Sequence, residues 1–320
     1  MNRFNYKNIL VAGGTGLLGT SLTKRFSKFK NVKLTSTFCN SKPQKNLSKY
    51  YKKYDFLKWD NCLNSTKNKD LVIICAVRSG GIKYMKENPT ESMLDNIKIR
   101  SNLFEACSIN NVKKVIWVSS STIYPIKKKP IKESEMDYNK KTYDDYIITG
   151  SVYRFVEKLA DYYITKKNLN LCVIRVTSIY GPNDNFSDHY SHVVPALIKK
   201  IINGKKALKV WGDKQVTRDF VYVEDLSQAI EKIVVKKKNL SPINFSSGKA
   251  TKILQLVNLL TKITKKNLKI KFVNKSLSSA PYRVLDNSKF NKIFKSFKRT
   301  PLKKGLEETI TWYVKNEKKK

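Results

Sequence analysis

Short, predominantly apolar runs recur along the chain, separated by stretches in which apolar residues return at helical spacing. The runs are Ile9-Leu10-Val11-Ala12, Leu71 to Ala76, Val115 to Ser119 and Leu171 to Val176. A strand that is apolar throughout is covered on both faces, so this alternation predicts an α/β fold: a doubly wound parallel sheet clothed by helices. Further on, Ile253 to Ile263 carries apolar residues at helical spacing and reads as a core-facing helix. Leu306 to Tyr313 reads as a closing helix. A length of 320 residues allows one large domain or two, with a sizeable core.

The first run leads directly into Gly13-Gly14-Thr15-Gly16-Leu17-Leu18-Gly19, and Ser21 to Phe29 can continue as a helix. In this spacing the first glycine permits a tight turn, the second lets backbone approach a pyrophosphate, and the third lets the helix pack closely on the sheet. The phosphates would then lie at a helix N-terminus, among free N–H groups and the positive end of the helix dipole. Gly13, Thr15, Gly16, Leu17, Leu18 and Gly19, with Ala76 at the end of a neighbouring run, are therefore candidate contacts of NAD or NADP. The second strand, Leu34 to Asn40, ends without the acid that would bond a ribose 2′-hydroxyl, and Ser41 and Lys42 could accept a 2′-phosphate. That tilts the choice toward NADP. A third strand is expected to end at Trp59-Asp60, where Asp60 would meet the adenine or stand as an exposed loop acid.

Lys and Arg number 64 against 25 Asp and Glu, a formal charge of +39. Such a field draws in phosphate-bearing molecules. The excess is nearly all lysine and is spread over the whole chain, with no basic reading helix and no zinc-finger spacing, so specific nucleic-acid binding is not expected. The five cysteines (Cys39, Cys62, Cys75, Cys107, Cys172) lack metal-ligand or C-x-x-C spacing, so no metal is expected. The N-terminal segment does not read as a secretory signal and no apolar stretch reaches the length of a membrane span. The expectation is a cytoplasmic protein with no membrane contact, and the terminal Lys318-Lys319-Lys320 reads as a solvated tail.

Several later segments carry a resemblance. They are Ser79-Gly80-Gly81-Ile82, Ser119-Ser120-Ser121-Thr122-Ile123-Tyr124-Pro125, Tyr180-Gly181-Pro182-Asn183-Asp184-Asn185-Phe186, Ser191-His192-Val193-Val194-Pro195-Ala196-Leu197-Ile198, Val210-Trp211-Gly212-Asp213 and Arg218-Asp219-Phe220-Val221-Tyr222-Val223-Glu224-Asp225-Leu226. In order and spacing they resemble the extended short-chain dehydrogenase/reductases, the NAD-dependent epimerase/dehydratase family, and within it the GDP-L-fucose synthases. The resemblance implies a Rossmann domain over 1–176, with a returning segment near 213–245. It implies a smaller nucleotide-sugar-binding domain from 177–212 and 246–320, and Ile243 to Gly248 resembles the strand and turn that lead back to it.

The resemblance also implies roles. Ser120 matches the serine that bonds the reacting sugar oxygen. Thr122 stands where the fucose synthases keep a cysteine that exchanges protons at carbon, a task for which a threonine hydroxyl is too weak an acid. His192 matches the histidine opposite that cysteine, with a structural histidine as the alternative. The family's tyrosine and lysine, which move the hydroxyl proton and hold the nicotinamide ribose, fall on Thr149 and Tyr153. A threonine is no phenol, and a tyrosine brings no positive charge. In a shifted register Tyr153 would find Glu157 at i+4 or Lys158 at i+5, and the latter lies about 140° further round a helix. Tyr146 or Tyr143 could supply a phenol from the preceding loop, and Arg154, on a neighbouring face, a charge. Ser79, Asn185, Trp211, Arg218 and Arg283 fall where sugar, base and diphosphate contacts are implied, and arginine's planar fork suits phosphate oxygens. Lys200 is either a further contact or a solvated lysine.

The expected activity is that of a nicotinamide-dependent oxidoreductase or epimerase at C4 of a nucleotide-linked sugar, GDP favoured, supplying surface polysaccharide precursors. The rival is a silent member that keeps both ligands and has lost the chemistry. A homodimer through Ile97 to Ile109 and Ser151 to Lys166 is expected by the same resemblance.

Overall fold

The computed structural model describes residues 5–78, 84, 87–142, 147–188, 190–237, 239–273 and 280–316. Its central sheet contains β1 (Asn8–Ala12), β2 (Lys33–Phe38), β3 (Tyr51–Lys53), β4 (Leu71–Ile74), β5 (Lys114–Ser120), β6 (Leu171–Val176) and a seventh strand, Ile243–Phe245. The strands run parallel in the order Ile243–Phe245, β6, β5, β4, β1, β2, β3. The chain winds outward from β1 to β3 on one side and then crosses to β4 on the other. The order thus reverses between β1 and β4, and at such a switch point the strand ends leave a crevice for a ligand.

The all-apolar runs are explained by the pleat. Ile9, Val11, Leu71 and Ile73 point to one face, where they pack with Leu22 and Phe26 of α1 (Leu17–Phe26). Leu10, Ala12, Val72 and Ile74 point to the other, against Leu103 and Cys107 of α3 (Asn96–Ile109) and Val156 of α4 (Ile147–Lys166); α2 is Trp59–Thr66. Both faces being covered, neither set can be polar.

A third cluster lies away from this sheet. It joins α5 (Val193–Asn203), the strand Phe220–Tyr222 that leads into α6 (Val223–Val234), and α7 (Ile253–Thr264) through Leu197, Ile198, Ile201, Phe220, Leu256 and Leu260. The parallel strands Ala207–Trp211 and Lys269–Val273 complete this lobe. The helix α6 itself packs on the first lobe through Leu226, Ile230 and Ile233.

A buried charge network joins α4 to the sheet. Arg175 of β6 and Glu157 of α4 are 3% and 2% exposed. Arg175 Nη2 lies 2.6 Å from Glu157 Oε2, its Nε donates to the same carboxylate, and Ser119 Oγ donates to Oε1 at 2.6 Å. Arg175 Nη1 donates to the Tyr124 hydroxyl, which donates to Asn244 Oδ1. Breaking one side of such a pair leaves a buried charge unmatched, at a cost of about 3–5 kcal/mol. Glu157→Gln is expected to lower the unfolding free energy in urea by that order, whereas a loss below about 1 kcal/mol would show that the pair is not the anchor described here.

Candidate active site

One continuous cleft of about 1810 Å³ opens at the switch point and runs between the two lobes. Its floor is the glycine loop. Gly13 has φ +85°, and a Cβ there would stand 2.6 Å from Ala76 Cα; a Cβ on Gly19 would stand 2.1 Å from Gly13 O. The loop is steadied from β2: Gly13 N donates to Thr37 Oγ1 and Gly14 N to Thr37 O, while the Tyr51 hydroxyl donates to Gly14 O. Gly16 caps α1, and the first helical bond of that turn is Thr20 N to Gly16 O. The N–H groups of Leu17, Leu18 and Gly19 consequently have no carbonyl in the preceding turn. With no acid in that turn to repel an anion, this cradle fits a pyrophosphate. Gly13, Thr15, Gly16, Leu17, Leu18, Gly19 and Ala76 all line it.

On the adenosine side Asn40 and Ser41 reach the cleft, and Lys42 is not part of its lining. The expectation for Asp60 is corrected. The third strand stops at Lys53, and Asp60 sits exposed in the first turn of α2, outside the cleft lining. The cause is local: Asp55 Oδ1 accepts the Leu57 N–H and Asp55 O the Lys58 N–H, so the chain turns before Trp59. Asp55, Phe56 and Leu57 line the cleft in its place.

The middle of the cleft brings together Ser120, Thr122, Thr149 and Tyr153. Ser120 Oγ accepts the Thr122 N–H at 3.2 Å and the Thr122 hydroxyl at 3.0 Å. Its own proton meets no acceptor among the described residues, and it can donate to a bound oxygen. Gly150 allows this closeness, since a Cβ there would lie 2.8 Å from Thr122 O. Lys158 is turned away, its Nζ 4.2 Å from the centre of the Tyr138 ring. Arg154 is engaged by the carbonyls of Ile123, Tyr138 and Lys140. Tyr143, Tyr146 and Ser79 lie outside the described residues.

The far end collects Asn185, His192, Lys200, Trp211, Arg218 and Arg283. Trp211 presents a ring that is 52% exposed, with Lys200 Nζ 4.5 Å from its centre. Arg218 is buried, and its Nη1 donates to the carbonyls of Thr217 and Ala280. His192 precedes α5 with its ring open to the cleft. Partial desolvation among the cleft walls and the nearby Arg283 hold its pKa below the usual imidazole value. A neutral imidazole results, able to accept or donate a hydrogen bond.

Four contributions were not anticipated from the sequence. Thr37 braces the loop, Asp55 to Leu57 take the place of Asp60, Arg100 lines the cleft beside Tyr153, and Asp184 is a buried acid in the wall. A signal for Arg100 was present: Asn96, Ile99, Arg100, Leu103, Phe104 and Cys107 form one helical stripe, so a basic residue stands in a core-facing row. Among the described residues no cluster of His, Cys, Asp or Glu is placed to hold a metal, and no helix is long and apolar enough to cross a membrane.

A parallel sheet with a glycine cradle at its switch point and a second lobe closing the cleft defines a nicotinamide-dependent enzyme of the extended short-chain dehydrogenase/reductase class. The chain belongs to the NAD dependent epimerase/dehydratase family, whose pattern matches residues 9–246. It is 27% identical over 318 residues to GDP-L-fucose synthase 1 of Arabidopsis thaliana, covering 96% of this chain and 93% of that one. It is 28% identical over 247 residues to a dTDP-4-dehydro-6-deoxy-D-allose reductase of Streptomyces, covering 76% and 74%. A GDP-L-fucose synthetase from Naegleria fowleri bound to NADP shares the fold with TM-score 0.80 at 24% identity, over 98% and 94% of the two chains.

Asp184 supplies a pH test of the wall. Its Oδ1 accepts the Asn185 N–H, its Oδ2 has no partner among the described residues, and burial pushes its pKa from 3.8 up to about 7. Folding therefore takes up a proton between those values. The associated stability is complete below 3.8 and is lost as pH rises through about 7. Relative to wild type, Asp184→Asn is expected to gain stability progressively from pH 5 to 8 in denaturant titrations; a constant difference across that range would contradict the assignment.

Proposed function

We propose that this protein is an NAD(P)-dependent oxidoreductase acting at C4 of a GDP-linked sugar. The observation that carries the reading is the continuity of the cleft: the cofactor cradle, Ser120 and the Trp211–Arg283 end all line one space. When bound, the nicotinamide supplies the reducing or oxidising equivalents. Ser120 holds the sugar oxygen, Trp211 offers a stacking face to the base, and Arg283 with Arg218 faces the diphosphate. Thr122 in place of an ionisable thiol favours redox chemistry at C4 without proton exchange at the neighbouring carbons. The division into a cofactor domain (1–176, with 213–245) and a nucleotide-sugar domain (177–212 and 246–320) goes with this reading. So do a cytoplasmic setting and a role in supplying surface polysaccharide precursors.

The test is turnover with NADH or NADPH across 4-keto GDP-, UDP-, CDP- and dTDP-sugars, followed at the nicotinamide absorbance. The GDP-linked ketose is expected to react with unchanged configuration at C3 and C5, and Ser120→Ala to lower kcat by roughly 10²-fold. Binding of both ligands with no turnover on any sugar would overturn the reading in favour of a silent member.

The same reading includes a homodimer through α3 and α4, where Ile109, Phe155 and Tyr162 leave large apolar groups exposed. Sedimentation is expected to give twice the chain mass of 37.0 kDa, and Phe155→Glu to give one. A monomeric wild type at micromolar concentration would remove this element.

A further inference from the structure

By the resemblance, the family's proton-moving tyrosine and its lysine fall on Thr149 and Tyr153. What the cleft offers in their place is a pair joined across two helices. Tyr153 of α4 lies parallel to the buried Trp117 ring, with centroids 6.0 Å apart and planes 15° apart. Arg100 of α3 sits against the same ring, Cζ 4.9 Å from the phenol ring centre, and Nη2 donates to the Tyr153 hydroxyl at 3.3 Å. Both residues line the cleft with Ser120, Thr122 and Thr149.

The state of Arg100 is unusual. It is 1% exposed, its Nη1 donates to Asn96 O at 2.7 Å, and its Nε meets no partner among the described residues. Among the described residues no carboxylate lies within ion-pair distance of it. Burial lowers its pKa, yet a guanidinium remains charged. An unmatched buried cation costs several kcal/mol, and a fold that needed only packing at this position would be better served by an apolar side chain. Such a cost is retained where the charge is used. The phenol oxygen accepts from Arg100, and among the described residues nothing accepts the phenol's own proton. That proton is therefore available to a ligand in the cleft.

We infer that Tyr153 is the catalytic residue that donates the proton to the sugar C4 oxygen, and that Arg100 is the positioning residue that orients the phenol and balances the charge left on it. The inference rests on the C4 oxidoreductase reading. In the reductive direction the C4 carbonyl carbon gains hydrogen and two electrons from the bound dihydronicotinamide, which is oxidised. The C=O π bond becomes a lone pair on oxygen, the Tyr153 O–H bond breaks, and a new O–H bond forms on the sugar. Water in the cleft returns a proton to the phenolate, whose negative charge Arg100 holds until then. The proton is thus handled from a position one helical turn beyond Thr149, on the same face of α4.

The experiment compares wild type, Tyr153→Phe, Arg100→Met and Arg100→Lys in three measurements. First, the oxidised-cofactor complex is titrated with GDP-6-deoxy-D-mannose, a C4 alcohol with C3 and C5 unchanged, and with its 4-deoxy analogue, following tryptophan fluorescence. Wild type is expected to prefer the hydroxyl sugar, and Tyr153→Phe to reduce that preference by about 3- to 10-fold, the equivalent of one of the two hydrogen bonds on that oxygen, Ser120's remaining. Second, Tyr153→Phe is expected to lower kcat by about 10²- to 10³-fold with KM little changed; Arg100→Met should lower it at least 10-fold and Arg100→Lys should restore part of it. Third, Arg100→Met is expected to keep or raise Tm, because it removes an unmatched buried charge. A preference for the hydroxyl sugar that is undiminished in Tyr153→Phe overturns the inference while the C4 reading stands. So does an Arg100→Met protein of reduced Tm whose kcat per folded molecule is unchanged. A wild type that binds no GDP-6-deoxy-D-mannose overturns both.

Discussion

The grip of Arg175 on Glu157 sets how α4 presents itself to the cleft. Thr149, Tyr153 and Glu157 follow one another at four-residue intervals, so they share a face of the helix. With Glu157 anchored under the strand end, the next residue of the row lies against Trp117 and the one after it against the cleft wall. Arg154 and Lys158 are turned to other surfaces, one clasping backbone carbonyls and the other covering Tyr138. No slide of α4 brings a lysine to the site without breaking a doubly bonded pair that has almost no access to water. The row of Thr149, Tyr153 and Glu157 is therefore fixed by the helix's own anchor.

The cleft distributes positive charge in two ways. At the loop it comes from backbone N–H groups at the start of α1, which act without any side-chain cation. At the far end it comes from arginines whose planar groups suit phosphate oxygens. Between them stands Arg100, enclosed by Asn96, Tyr153 and the core of α3. The large net charge of the chain strengthens attraction to anions at long range. These enclosed groups discriminate, because low exposure spares them the screening that weakens surface lysines.

Much of the architecture was legible in the sequence because its cause is local and repetitive. An all-apolar run has one physical meaning in a doubly covered sheet, and Gly13, Gly16 and Gly19 stand at a spacing that few other structures require. The third strand was misplaced for the opposite reason. Tyr51–Lys53 is a three-residue edge strand with two lysines and leaves no apolar run to read, while the apparent end at Trp59-Asp60 is a helix start. Arg100 was hidden by abundance, since one basic residue among 64 attracts no notice until its helical stripe is drawn. The partnership of Arg100 with Tyr153, 53 positions away, depends on the packing of α3 against α4, and no spacing rule in either segment announces it.

The most direct measurement is a crystal structure with oxidised nicotinamide and a GDP-linked sugar in the cleft. The account predicts the Tyr153 hydroxyl within about 2.5–3.0 Å of the sugar C4 oxygen, with Ser120 on the same atom and Arg100 still on the phenol. A C4 oxygen bonded instead to another phenol, such as that of Tyr146, with Tyr153 turned away from the sugar, would contradict it.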